Sequence, residues 1–144
     1  MAERPSQASW PAVLESVPLI RRFVQEGAVG LGLSEKSARR LGLAAEEIAV
    51  NVARHAYRGL PPGPVAARLF RDKDRVLVAF TDSGRAFDPS GAPEPDLGLP
   101  ASERPVGGLG LFLVKNIADE LLYERVDGEN RLTLVKRLSR EDRP

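Results

Sequence analysis

VGGLGLFLVKNIADE, residues Val106 to Glu120, is the stretch that decides how the rest of the chain is interpreted. Three glycines, Gly107, Gly108 and Gly110, lead directly into an apolar segment that can form a helix. Glycine lets backbone N–H groups approach a ligand closely, and a helix N-terminus carries unpaired donors and partial positive charge. The combination suits a phosphate group. A tight strand-to-helix turn would use the same glycines, so other motifs must separate the two interpretations.

The glycine segment does not match the common phosphate-binding motifs. No Gly-Lys-Ser/Thr follows the glycines, which excludes a P-loop, and no G-x-G-x-x-G follows a strand near the N-terminus, as a dinucleotide-binding fold requires.

The length, net charge and cysteine and histidine content of the chain exclude several kinds of functional site. A chain of 144 residues is long enough for one domain with a real core. Its formal charge of +1 gives no general electrostatic reason to expect nucleic-acid or membrane binding. The absence of cysteine excludes disulfides and thiolate chemistry, and a single histidine excludes a multi-histidine metal cluster. Without a signal-like N-terminus or a long apolar run, we expect a cytoplasmic protein.

Two helices are predicted in the first half of the chain. The first runs from Glu15 to about Val29, and Pro18 is tolerated in its first turn. The second follows Ser34 as N-cap and continues to Ala56. Its apolar stripe consists of Leu41, Ala45, Ile48, Val52 and Ala56.

Strand patterns favour an α+β fold. Two hairpins are predicted, one from Val65–Arg71 and Arg75–Thr81, the other from Leu121–Val126 and Arg131–Leu138, whose last strand should show one face to water. The second strand of the first hairpin should be central, and Ser9–Leu14 could add an edge strand and pair across subunits. The order of elements predicts a two-layer sandwich with a mainly antiparallel sheet.

A long irregular segment, Asp88 to Pro105, carries five prolines between the hairpins. A loop of this length is usually functional or mobile, and the alternative is a solvated surface loop without a role.

Two polar groups complete the candidate site. Glu47, Asn51 and His55 fall at helical spacing on one ridge beside the apolar stripe, where a carboxylate and an amide oxygen suit Mg²⁺. The alternative is a solvated helix face, and His55 fits an orienting or structural role better than catalysis. Asp82, next to Gly84 at a strand end, can accept a hydrogen bond from an exocyclic amine, although a plain turn would have the same sequence.

Three motifs occur in order: EEIAVNVARHAY (Glu46 to Tyr57), TDSGRAFDP (Thr81 to Pro89) and GGLGLFLVKNIADELLYERVDGENRLTLVKRL (Gly107 to Leu138). This set resembles the Bergerat ATP-binding fold of DNA gyrase, histidine kinases and mismatch-repair ATPases. It is most similar to the stand-alone anti-sigma-factor serine kinases of the RsbW type. The resemblance implies a single histidine-kinase-like ATP-binding domain over residues 1–144. That domain would have a mainly antiparallel mixed sheet with three helices on one face and an ATP lid at about residues 88–106.

The resemblance also implies residue roles, with ATP and Mg²⁺ as cofactors. Glu47 matches the catalytic glutamate, a base or water-positioner, and Asn51 the Mg²⁺ ligand. Asp82 matches the aspartate that recognises the adenine amino group. Ala86 departs from the family pattern, because it stands where D-x-G-x-G has its second glycine. Residues expected to contact the nucleotide are His55, Gly84, Ala86, Phe87, Gly107, Gly108, Leu109, Gly110, Leu111 and Thr133.

Two functions remain open at this point. One is a protein serine kinase that phosphorylates an anti-sigma-factor antagonist, a small STAS-type domain, and sequesters a sigma factor. The other is a non-catalytic switch that binds ATP or ADP and changes its affinity for partners. A purely structural interaction domain gives no reason for the three motifs to coincide. The resemblance implies a homodimer, and we expect protein partners and neither nucleic acid nor membrane.

Overall fold

A computed structural model describes residues 6–86 and 108–142. A short 3-10 turn, Leu14–Ser16, precedes the first helix, and a π-helical segment, Val52–Ala56, follows the second. The strands are β1 (Ser6–Pro11), β2 (Pro64–Asp72), β3 (Arg75–Asp82), β4 (Glu120–Val126) and β5 (Glu129–Arg137). The helices are α1 (Val17–Gly30), α2 (Glu35–Asn51) and α3 (Gly108–Ile117).

The five strands form one sheet in the order β1-β2-β3-β5-β4, and each neighbouring pair in this sheet is antiparallel. The predicted α+β class, the two hairpins and the central position of β3 are therefore confirmed. The N-terminal edge strand is present, but it lies at Ser6–Pro11 and not at Ser9–Leu14. Both hairpins turn through left-handed backbone, at Lys73 in the first and at Asp127 and Gly128 in the second. The Asp-Gly pair is the usual sequence for such a tight turn.

The core lies between the three helices and one face of the sheet. Alternate residues along each strand point to this face, because successive side chains of a strand alternate in direction. The three helices, α1, α2 and α3, all pack on this face, as the resemblance implied. Fully buried members include Ile20, Val24, Leu41, Leu69, Val76, Val78, Val114 and Leu134.

The start of α2 was predicted correctly from the sequence, and the start of α1 was predicted two residues too early. The Ser34 Oγ accepts a hydrogen bond of 3.1 Å from the backbone N–H of Ser37, so the predicted N-cap of α2 is confirmed. α1 begins at Val17 and not at Glu15, because the preceding residues form the separate 3-10 turn. Pro18 lies in the first turn of α1, where its missing N–H has no helical partner to lose.

The regular part of α2 is shorter than predicted. It ends at Asn51, and the chain continues to Ala56 with the wider turn of a π-helix. A π turn contains more residues than an α turn, so the side chains after Asn51 do not continue the α-helical ridge. The prediction of one regular helix from Ser34 to Ala56 was wrong in this last part.

The prediction that β5 shows one face to water holds for Arg131 and Arg137, which are exposed, but not for Val135 between them. Leu132 and Leu134 face the core, and Val135 on the opposite face is also fully buried. Val135 lies beside Leu77 in the register of β3 and β5, and Leu77 in turn pairs with Phe70 of β2. These side chains cover one another on the sheet face that the helices leave open.

Several predicted features lie outside the described residues. They are the lid at residues 88–106, Phe87 and Gly107. Within the described ranges, no helix is long and apolar enough to cross a membrane.

Candidate functional site

Asp82 is the centre of the candidate site. It is the last residue of β3 and pairs directly with Asn130 of β5. Its Oδ1 accepts two hydrogen bonds, from the backbone N–H of Gly84 at 2.9 Å and from the Asn130 Nδ2 at 3.0 Å. The Oδ2 accepts none from residues 6–86 or 108–142. One carboxylate oxygen is therefore fixed, and the other can accept a hydrogen bond from a ligand.

Gly84 joins this strand end to the helix layer. It is buried, and a Cβ at this position would lie 2.2 Å from the backbone oxygen of Ala56. The same oxygen accepts a hydrogen bond of 2.6 Å from the backbone N–H of Arg85. Only glycine permits so close an approach, so the turn after Asp82 is packed against the end of the π-helical segment.

Tyr57 supports the same turn from the other side. Its hydroxyl accepts a hydrogen bond of 3.0 Å from the backbone N–H of Ser83 and donates to the carbonyl of Pro64. Burial raises the pKa of Tyr57, so its hydroxyl is neutral and can donate at neutral pH.

Glu47 and Asn51 lie half-buried on α2, one turn apart, and no side-chain hydrogen bond to either is found within the described ranges. Their carboxylate and amide oxygens are hard ligands of the type that Mg²⁺ takes. No cluster of three His, Cys, Asp or Glu side chains occurs in the part of the chain that the structure describes. An ion held mainly by phosphate oxygens and water requires no such cluster, so the donor set fits Mg²⁺ bound together with a nucleotide.

His55 does not continue the ridge of Glu47 and Asn51, because it lies in the π-helical segment. Its Nδ1 is 3.3 Å from the Nη2 of Arg58. The structure therefore gives His55 a local polar contact at the end of the helix.

The glycine segment enters α3, which begins at Gly108 and packs against α2. Leu109, Gly110 and Leu111 belong to the first turn of this helix. Backbone N–H groups at such a helix start are available to an anion.

Two predicted contact residues are not brought to the Asp82 side chain. Thr133 pairs with Ala79 and Leu122, three residues along β5 from Asn130, and therefore lies on the sheet face opposite to Asp82. Ala86 is exposed at the last described position before residues 87–107.

Asn130 is the site residue that the sequence interpretation missed. The alternation of β5 places it on the same face as Leu132 and Leu134, so a polar side chain stands in the apolar pattern of the core. That break in the pattern was the available signal.

Comparison with known proteins agrees with this geometry. The histidine kinase-like ATPase domain model matches residues 10–136. The chain is 31% identical over 136 residues to the serine-protein kinase RsbW of Bacillus licheniformis, covering 91% of this chain and 84% of the relative. It is 34% identical over 95 residues to the serine/threonine-protein kinase BtrW of Bordetella bronchiseptica, covering 66% and 67% of the two chains.

A solved structure of RsbU and RsbW domains from Mycobacterium tuberculosis has the same fold, with a TM-score of 0.64 over 96% of this chain at 19% identity. The present chain spans about a third (33%) of that longer chain. Sequence family and fold thus point to the same group of proteins. The chain belongs to the histidine kinase-like ATPase domain family and, within it, to the serine-protein kinases of the RsbW type.

Proposed function

We propose that this chain is a single-domain, ATP-dependent protein serine kinase that acts as an anti-sigma factor. The observation that carries the proposal is the Asp82 carboxylate, which has one oxygen held by Gly84 and Asn130 and the other available to a ligand. An acceptor at this point suits the exocyclic amine of adenine. Family membership and the helix that starts at Gly108 support a nucleotide with phosphates.

The chemistry requires a metal ion and a group that handles the proton of the attacking hydroxyl. Asn51 would hold Mg²⁺, which, when bound, neutralises charge on the phosphate oxygens. Glu47, one helical turn earlier, would accept the proton from the serine hydroxyl as its oxygen attacks the γ-phosphorus. The bond from the γ-phosphorus to the bridging oxygen breaks, and ADP leaves.

The phosphoacceptor would be a serine on an anti-sigma-factor antagonist, and the second partner a sigma factor. The names of the relatives support the serine specificity. The near-neutral charge of +1 supports protein partners over nucleic acid or membrane, and we place the protein in the cytoplasm.

We further propose that the protein acts as a homodimer. The sheet face away from the helices carries Leu122, which is 54% exposed. Arg68 on β2 and Glu124 on β4 lie on opposite sides of β3 on this face. An exposed leucine together with charges of both signs on one sheet face supports packing of this face against a second copy of the chain. Sedimentation as a monomer at tens of micromolar, with and without ATP, would refute the dimer.

The central experiment is incubation of the purified chain with labelled ATP and the antagonist encoded beside it. We expect label on the antagonist, and none when its acceptor serine is replaced by alanine. ATP binding without any transfer would instead identify a non-catalytic nucleotide switch, because Glu47 and Asn51 suit both functions.

A further inference from the structure

Asn130 is 7% exposed and uses its entire side-chain amide in hydrogen bonds within the protein. Its Nδ2 donates to the Asp82 Oδ1 at 3.0 Å and to the backbone carbonyl of Arg85 at 2.7 Å. Its Oδ1 accepts from the Tyr123 hydroxyl at 2.6 Å and from the Arg125 Nη1 at 3.1 Å. An amide has two donor hydrogens and two acceptor lone pairs, so all its bonding capacity is used.

The chemistry of these neighbours fixes which way the amide points. Rotation by half a turn would set Oδ1 against the Asp82 carboxylate and the Arg85 carbonyl, which are acceptors. It would also turn Nδ2 toward the guanidinium of Arg125, which only donates. The amide group must therefore present its donors to Asp82.

Arg125 also holds the turn itself. Its Nη1 donates to the carbonyl of Gly84 at 2.7 Å, while Asn130 holds the next carbonyl, that of Arg85. Asp82, Asn130 and Arg125 are successive cross-strand partners on β3, β5 and β4. Three strands thus set the orientation of one carboxylate.

We propose that Asn130, oriented by Tyr123 and Arg125, is a positioning residue that sets the base specificity of the site by fixing the Asp82 carboxylate. The inference rests on the proposed function, in which Asp82 recognises an adenine amine. A carboxylate held through Oδ1 keeps Oδ2 directed at the ligand, where it attracts an amine and repels a carbonyl. Without Asn130 the carboxylate is held by Gly84 alone and can turn Oδ2 away from the base, so the bond to an amine weakens and the discrimination falls.

The test compares the dissociation constants of Mg-ATP and Mg-ITP by calorimetry, since ITP carries a carbonyl in place of the 6-amino group. In Asn130→Ala the ratio of ITP to ATP dissociation constants should fall by about 5- to 20-fold, the size expected for one hydrogen bond to a charged group. Affinity for ITP itself should change by less than about twofold. A merely structural role would weaken both nucleotides equally.

A second, milder variant keeps the inference testable if Asn130→Ala folds poorly. Tyr123→Phe removes one donor to the Asn130 Oδ1 and leaves the bond to Asp82, so the ratio should fall by about two- to fourfold. Arg131→Gln, next to Asn130 but exposed and paired with Glu124 at 3.5 Å, is the matched control and should keep the wild-type ratio.

The outcomes distinguish failure of the positioning role of Asn130 from failure of the proposed kinase function. Wild-type selectivity retained in both Asn130→Ala and Tyr123→Phe would overturn the positioning role and leave the proposed kinase function intact. A wild-type chain that binds neither nucleotide would overturn the proposed function and this inference with it.

Discussion

Asp142 and Ser34 connect the last described turn of the chain to the start of α2. The Asp142 Oδ1 accepts a hydrogen bond of 2.8 Å from the backbone N–H of Ser34, the N-cap residue of that helix. Its Oδ2 accepts from the backbone N–H of Ser139 at 2.7 Å and from the Ser139 hydroxyl at 3.1 Å. The helix that carries Glu47 and Asn51 is therefore anchored by residues 108 positions away in the sequence.

This anchor should make stability depend on pH. Burial alone would raise the pKa of Asp142, but hydrogen bonds from Ser34 and Ser139 outweigh it and lower the pKa from 3.8 to about 2. Because the pKa of the folded state is the lower one, the contribution is complete above pH 3.8 and is lost as pH falls toward 2. Asp142→Asn should lower the free energy of unfolding by about 1 kcal/mol at neutral pH, a value reduced for solvent screening.

Urea unfolding of the two proteins across the acid range measures this effect. The gap between wild type and Asp142→Asn should close as the pH approaches the folded-state pKa. Asp74→Asn is the control, since no side-chain hydrogen bond to Asp74 is found in the described chain, and it should not change stability. A gap that is constant with pH would refute the role of the charge.

Gly84→Ala should damage both stability and nucleotide binding. The added Cβ would lie 2.2 Å from the oxygen of Ala56 and 2.5 Å from its carbonyl carbon, and backbone cannot move aside as a side chain can. We expect a loss of about 1–3 kcal/mol in unfolding free energy, the usual cost of overpacking. Gly30→Ala, with no atom within 4 Å of the new Cβ, is the control for thermal unfolding. Equal melting temperatures for both variants would contradict the close packing.

Asp82→Asn should weaken ATP binding and improve the relative binding of ITP. Asn130 would still donate to the Oδ1 of the new amide, so its NH₂ group would take the place of Oδ2. Two donors would then face each other at the adenine amine, at a cost of about 1.5–3 kcal/mol in binding free energy. Calorimetry measures both constants, and Asp74→Asn in the β2–β3 turn, at the opposite end of β3, is the control. Unchanged ATP affinity would mean that Asp82 does not contact the base.

Comparison of Asp82 with its neighbours shows what the sequence could predict. The strand carrying Asp82, the helix carrying Glu47 and the two hairpins follow from local periodicity and turn residues, so their positions were predictable. The bond from Asn130 to Asp82 joins residues 48 positions apart and depends on the β3–β5 register. Helical spacing alone also could not show the π-helical segment, whose last residue, Ala56, accepts a hydrogen bond from Arg85 in the turn after Asp82.

Thr133 is a residue for which the family resemblance and the strand alternation disagree. The family resemblance suggested a nucleotide contact, but the alternation along β5 places Thr133 on the face away from Asp82. The alternation of Leu132 and Leu134 with Thr133 and Val135 already shows this in the sequence, so the nucleotide contact at Thr133 rested on the resemblance alone.

Asn51→Ala should reduce both nucleotide affinity and phosphoryl transfer. The substitution removes the amide oxygen assigned to Mg²⁺, and the ion contributes to binding as well as to the transition state. We expect the ATP dissociation constant to rise at low Mg²⁺ and to recover partly at high Mg²⁺. Loss of transfer with an unchanged Mg²⁺ dependence of binding would show that Asn51 is not a metal ligand.

Glu47→Ala should abolish phosphoryl transfer while changing the ATP dissociation constant by no more than a few fold. A base acts on the proton of the attacking hydroxyl, and this interaction stabilises the transition state and not the bound nucleotide.

The adjacent Glu46 supplies a matched control, because its carboxylate instead pairs with Arg21 at 3.4 Å and both side chains are about one-third exposed. Glu46→Ala should retain transfer, and the lost ion pair should cost under about 1 kcal/mol of stability. Rates of label transfer to the antagonist and calorimetric ATP affinities measure the two effects separately. Equal losses of binding and transfer in Glu47→Ala would assign Glu47 a structural role, and loss of transfer in Glu46→Ala would shift the base to the neighbouring residue.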